Sequence, residues 1–385
     1  MPTEVDFLRA IIADPNADGP RLVYADWLED CGDTARAEFI RIQCALAAMP
    51  ENERQYHPLA ERAQALEGTH REQWLQPLRE ALGHSGDGSR IWLGFLRLNP
   101  TKTLINANFR RGFAEYVHVE TAAFLAHASK LVGATPLRTL VLEPADFDRS
   151  AEHWDALTRC PELGRLTGIH VRTLGVGPDE MRRFTEIPHV QGLRSFGLYQ
   201  QTGPEAEAVE ILARSTFLSR LVALELSGGQ APGDDGTDRL LLGPECKHLE
   251  SLFLAGMPGI SGSLIERLTN SAPFSRLTSL AISRASIGDV ELEAFFAWLP
   301  PSVSRLAFHS CGLGNRTAIS LAGTQHLRGL RQLELNANQI TDIGALTFAD
   351  SPNLLASTRL DLRGNPISRR VREALRIRCG HHVLV

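Results

Sequence analysis

The chain has 385 residues, 43% hydrophobic and 22% charged, which supplies a sizeable core and does not fit a disordered chain. Lys and Arg number 40 against 45 Asp and Glu, a formal charge of −5 without a basic block, so nucleic-acid binding is not expected. No apolar run is long enough to span a membrane. MPTEVDFLRAII carries charges within its apolar stretch, unlike a signal peptide. The six cysteines are scattered with no C-x-x-C pair, so neither a disulfide framework nor a zinc site is expected. Together these features predict a soluble cytoplasmic chain with reduced thiols and no cofactor.

The first 48 residues read as short helices. Phe7, Leu8, Ile11 and Ile12 form one apolar stripe at helical spacing. Leu22, Val23, Trp27 and Leu28 form a second, and Ala37, Phe39, Ile40 and Ile42 a third. Between the first two lies D-x-N-x-D-G, with Asp14, Asn16, Asp18 and Gly19, the opening of an EF-hand calcium loop. Such a loop needs a glutamate at position twelve, where this chain has Ala25, with Pro15 and Pro20 inside the loop. Helix punctuation accounts for it better: Asp14-Pro15 ends one helix, and Asp18-Gly19-Pro20 starts the next. A calcium-responsive regulator is kept only as an unfavoured alternative.

Phe7-Leu8, Asp14-Pro15, the run from Pro20 to Leu28, Gly32-Asp33 and Ala37-Glu38-Phe39-Ile40 together resemble the short bacterial repeat-companion domain. That module occurs at the N-terminus of repeat proteins, so the resemblance implies an architecture and no assigned activity. Residues 49–112 read as a helical adaptor with Leu59, Leu66, Trp74, Leu75 and Leu78 inward, broken by a turn at Ser85–Arg90. The sheet is expected to begin at Glu115–Val119.

From Leu137 a template L-x-x-L-x-L recurs at Leu166, Leu193, Leu221, Leu249, Leu277, Val303, Leu330 and Ser357. Successive starts differ by 26 to 29 residues over nine copies. Each unit is read as a short parallel strand burying positions i, i+3 and i+5, followed by a return segment. One unit cannot bury its apolar face alone, but stacked neighbours share a core. Position i+8 carries Cys311, Asn338 and Asn365, whose side chains would bond the neighbouring turn; six copies lack such a residue. This pattern resembles the leucine-rich-repeat family, in its long ribonuclease-inhibitor-like class. The resemblance implies an α/β horseshoe solenoid, with a concave parallel sheet and outer helices, over residues 113–366. Residues 367–385 read as a cap whose helix turns Val371, Leu375 and Ile377 inward and its arginines to water.

No P-loop, G-x-S-x-G or H-E-x-x-H motif occurs, and the His381–His382 pair has no third ligand nearby, so no enzyme and no metal site are expected. If the strands alternate, positions i+2, i+4 and i+6 form the concave face. Arg305 and Arg359 fall in the i+2 row. His170, Phe253, Glu334 and Asp361 fall in the i+4 row, and Arg172, Tyr199, His309 and Arg363 in the i+6 row. Interface energy concentrates in Tyr, Trp and Arg. These residues are therefore the candidate contacts for a protein partner of unknown identity, with the chain acting as a monomeric, non-catalytic scaffold. An enzyme inhibitor is the main alternative, although an acidic face would suit a basic nuclease and this one is mixed.

Overall fold

In a computed structural model the described residues are 2–49, 53, 55–83, 104–144, 150–173, 175–200, 206–228, 234–257, 260–270, 276–355, 358–379 and 383–385. The expected turn at 85–90, the His381–His382 pair and positions i+8 of the first four repeats lie outside them. The chain divides into two compact units, Met1–Arg172 and Thr173–Val385.

The first unit opens with helices α1 (Glu4–Ala13), α2 (Gly19–Asp30) and α3 (Thr34–Ala48). Asp33 caps α3 by accepting from the Arg36 N–H at 3.1 Å. The inner face of α2 is Arg21, Tyr24, Ala25 and Leu28, whereas Leu22 and Val23 are 39% and 56% exposed. The apolar stripe expected there is thus displaced by one residue, because a buried arginine occupies the i, i+3, i+4, i+7 face. Helices α4 (Tyr56–Trp74) and α5 (Gln76–Ala81) follow, with Leu66, Trp74, Leu75 and Leu78 buried as anticipated.

Strands β1 (Leu104–Arg110) and β2 (Phe113–Glu120) form an antiparallel hairpin. Its two-residue turn, Arg111-Gly112, has φ of 48° and 85°, the mirror-image geometry that matches strand twist. Gly112 is required twice over: by that φ, and because a Cβ there would meet the Ile40 backbone at 2.9 Å. The sheet therefore starts one strand earlier than the sequence suggests. Helix α6 (Thr121–Ala134), parallel strand β3 (Thr139–Glu143), helix α7 (Ser150–Thr158) and parallel strand β4 (Gly168–Thr173) complete the unit.

In the second unit, strands and helices alternate. The strands are β5 (Ser195–Gln200), β6 (Ala223–Ser227), β7 (Ser251–Ala255), β8 (Ser279–Ser283), β9 (Arg305–His309), β10 (Gln332–Glu334), β11 (Arg359–Asp361) and β12 (Val383–Leu384). Each pairs with the next in parallel. The helices are α8 (Pro178–Glu186), α9 (Ala206–Arg214), α10 (Asp234–Leu242), α11 (Gly262–Asn270), α12 (Asp289–Trp298), α13 (Asn315–Gly323), α14 (Asp342–Asp350) and α15 (Arg369–Cys379).

The i+3 row, Leu224, Leu252, Leu280, Leu306, Leu333 and Leu360, is at most 3% exposed. At roughly 1.5–3 kcal/mol per buried side chain, this row and the i+5 row beside it supply ample cohesion. The amide ladder forms as read. Asn338 Oδ1 accepts from the N–H groups of Cys311 (2.9 Å) and Leu313 (3.3 Å), and its Nδ2 donates to the carbonyls of Phe308 (2.7 Å) and Leu335 (2.9 Å). Asn365 repeats the arrangement one turn on, accepting from Ile340 and donating to Leu335 and Leu362.

A second periodic feature sits at i+7. Gly228, Gly256, Arg284, Ser310, Ala337 and Gly364 all have φ between 52° and 118°. The strand therefore ends in the left-handed region at this position whether or not the residue is glycine. In α15, Val371 and Leu375 are buried but Ile377 is 84% exposed. It lies two residues past Leu375, about 200° around the helix, so it points away from the face expected to hold it. Among the described residues no helix is long and apolar enough to cross a membrane.

Candidate functional site

Strand alternation leaves positions i+2, i+4 and i+6 on the face away from the helices, and parallel register lines them up. In the second unit Gly197, Glu225, Phe253, Ala281, Ala307, Glu334 and Asp361 are successive lateral neighbours. Ala223, Ser251, Ser279, Arg305, Gln332 and Arg359 form the i+2 row beside them.

In the first unit this face holds a compact ionic group. Glu143 is 1% exposed and pairs with His118 and with Arg172, the latter at 3.1 Å. The Tyr116 and His170 rings meet edge to face at 6.5 Å, and His170 is 7% exposed. His170 and Arg172, both read from the sequence as contact residues, thus lie beside His118, Glu143 and Tyr116, which were not. The sequence already places Glu115–Val119 in a strand, and the same alternation, carried one step further, turns Tyr116 and His118 to this face.

In the second unit Tyr199 hydrogen-bonds Glu225. Phe253, half-buried, has Glu225 and Ala281 as lateral neighbours. Toward the last strands, His309 and Glu334 pair at 2.8 Å, and Gln332 also bonds Glu334. Asp361, 2% exposed, receives the Arg363 backbone N–H at 3.0 Å and that residue's guanidinium. Burial pushes the Asp361 carboxyl up, but the Arg363 donors and the charges of Arg363 and Arg359 outweigh it and hold the carboxyl below its ordinary value. Arg305 and Arg359 differ from these. Both are exposed, and neither has an ion-pair partner among the described residues. They flank Gln332 in one row, one strand to either side, about 10 Å apart at ordinary strand spacing.

The EF-hand-like loop is occupied by cationic side chains. Pro15 O accepts from Arg21 at 2.9 Å and Asn16 O from Arg111 at 2.6 Å, and Asp18 pairs with Arg111 at 3.4 Å. Of these oxygens only the Asp18 carboxylate, at loop position five, is one a calcium loop would turn toward a metal, and here it faces Arg111. Among the described residues no three His, Cys, Asp or Glu side chains converge on a possible metal position. Burial raises the thiols of Cys44, Cys160 and Cys246 to about 11, which disfavours the thiolate a nucleophile needs. Cys311 is raised for the same reason, and its Sγ lies 3.3 Å from the His309 carbonyl within the ladder.

No protein-family model matches the chain, and no curated protein matches it. Among solved structures, a chain of the yeast Rad7–Elc1 complex is similar over 98% of this chain and 91% of its own, with a TM-score of 0.50 and 16% identity. A protein from Bacteroides fragilis matches over 60% of this chain and 70% of its own, at 0.36 and 13%. An internalin from Listeria monocytogenes matches over 68% and 84%, at 0.27 and 15%. The fold is an α/β leucine-rich-repeat solenoid: in-register parallel strands at a period of 26 to 29 residues, inward leucine rows and helical returns.

Proposed function

We propose that the protein is a non-catalytic interaction scaffold that binds a protein partner on the sheet face away from its helices. The observation that carries this reading is the pair Arg305 and Arg359. Glu334 is bonded by His309 and Gln332 and Asp361 by Arg363, so neither Arg305 nor Arg359 has an ion-pair partner among the described residues, although the Arg359 charge acts on Asp361. A partner would set an acidic segment across Gln332 between them and lay an apolar group on Phe253 and Tyr199, the larger anchors on this stretch, which flank Glu225. The helical front, with its likeness to a repeat-companion domain, and the repeat period, with its likeness to the ribonuclease-inhibitor class, fit a binding protein. Cytoplasmic location and a monomeric state belong to the same reading.

The test is co-purification from the source cell with the wild-type chain, an Arg305→Glu/Arg359→Glu variant and a Tyr199→Ala/Phe253→Ala variant. Loss of the same partner from both variants is the expected result. Retention of every partner by both would remove this face as the binding surface.

A further inference from the structure

Among the described residues the first unit buries two arginines, and only one of them has a bonded acidic partner. Arg21, fully buried, donates to Glu115 at 2.6 Å, to Pro15 O at 2.9 Å and to Arg111 O at 3.1 Å. Arg36, 9% exposed, has no hydrogen bond or ion pair from its side chain among the described residues, and its Nη1 is fully enclosed without a partner. Its guanidinium carbon lies 4.6 Å from the Trp74 ring centroid, 5.4 Å from Phe109 and 5.5 Å from Phe113. Aromatic faces attract a cation but accept few of its five N–H donors, so the charge is held without the acceptors it requires. Its place in the first turn of α3 adds an unfavourable helix dipole.

Arg36 faces a cavity of about 160 Å³. The remaining wall includes Tyr24, Leu28, Leu78, Trp74, Phe109 and Phe113. An apolar cavity of ~150 Å³ accommodates a benzene ring. A planar guanidinium is best met by a carboxylate, whose two oxygens match its paired donors. Glu4, which accepts from the Tyr24 hydroxyl at 2.7 Å, and Asp33 also line the cavity; their charges act on the Arg36 guanidinium without bonding it and weaken the attraction for any anion, a doubly charged one most.

We propose that this cavity binds a small monocarboxylate with a flat apolar body, its carboxylate on Arg36 and its ring against Trp74, Phe109 and Phe113. Desolvation lowers the Arg36 guanidinium to about 10, so it remains a cation at neutral pH. The site is separate from the sheet face, and neither reading depends on the other.

Benzoate, benzamide and inorganic phosphate serve as probes of the full chain, followed by calorimetry and by the fluorescence of its tryptophans. Benzoate should bind at millimolar concentration or below. Benzamide, which has the shape without the charge, and phosphate, which has charge without the ring, should each bind at least about tenfold more weakly. Arg36→Met should remove benzoate binding while melting no lower than wild type, since it replaces an unpaired buried charge by an apolar chain. Should that variant fold poorly, the three probes on the wild-type chain still decide. No benzoate binding, benzamide or phosphate binding as tightly as benzoate, or undiminished benzoate binding by Arg36→Met would each overturn the proposal.

Discussion

In the helical front of the first unit, Arg21 and Arg36 lie inside a core shared with Tyr24, Trp74, Phe109 and Phe113. In the rear repeats of the second unit the inward rows are leucine, isoleucine and phenylalanine, and the polar groups buried beside them include the amides of Asn338 and Asn365. The partners differ in distance along the chain as much as in chemistry. Arg21 meets Glu115 across 94 residues, whereas each asparagine bonds groups within about one repeat. The Arg21–Glu115 pair ties remote segments into one structure, whereas each buried amide mends one local turn that can be copied from repeat to repeat.

The largest test of this contrast is Glu115→Ala. It leaves Arg21 uncompensated and should cost about 3–5 kcal/mol in urea unfolding. Arg21→Met combined with Glu115→Leu should recover most of that loss, because burial already works against both ionised forms. A small effect of the single change would erase the distinction between the two regions.

In the rear repeats, Asn338→Ala strands backbone groups on both sides of one turn and should cost roughly 3 kcal/mol. Hydrogen exchange would sharpen the comparison. The opening should stay near Cys311–Leu335, whereas Glu115→Ala should loosen α2 and the hairpin together. Smallest, and of opposite sign, is Ala337→Gly. Relieving a left-handed alanine should raise stability by roughly 0.5–1 kcal/mol, readable as a higher denaturant midpoint.

The repeats were legible because a pattern copied nine times averages out local exceptions, and the lateral rows followed from it. The turn at i+7 was not legible, since Arg284, Ser310 and Ala337 adopt the same left-handed backbone as Gly228, Gly256 and Gly364. In α2 the apolar Leu22 and Val23 drew the stripe outward, because a fully buried arginine is a rare choice for an inner face. The same rarity hid Arg36. Strand β1 was missed because its turn is Arg-Gly rather than the Asn-Gly or Asp-Gly that marks most tight hairpins. On the candidate face the rows were readable, but pairing was not. The sequence alone could not separate Arg305 and Arg359, without an ion-pair partner among the described residues, from Asp361 and Arg363, which pair with each other.

The Arg111-Gly112 turn bears on how this architecture can be recombined. Arg111 grips Asn16 and Asp18, its carbonyl receives Arg21, and the Gly112 N–H donates to Gln43 at 3.0 Å. Phe113, two residues past the start of the turn, completes the same hydrophobic cluster as Ile11, Tyr24 and Ile40. Helices cut away after α3 would keep the lock and lose the key. The inheritable cassette, the piece that could be moved intact in front of another repeat array, is therefore the helices together with the hairpin.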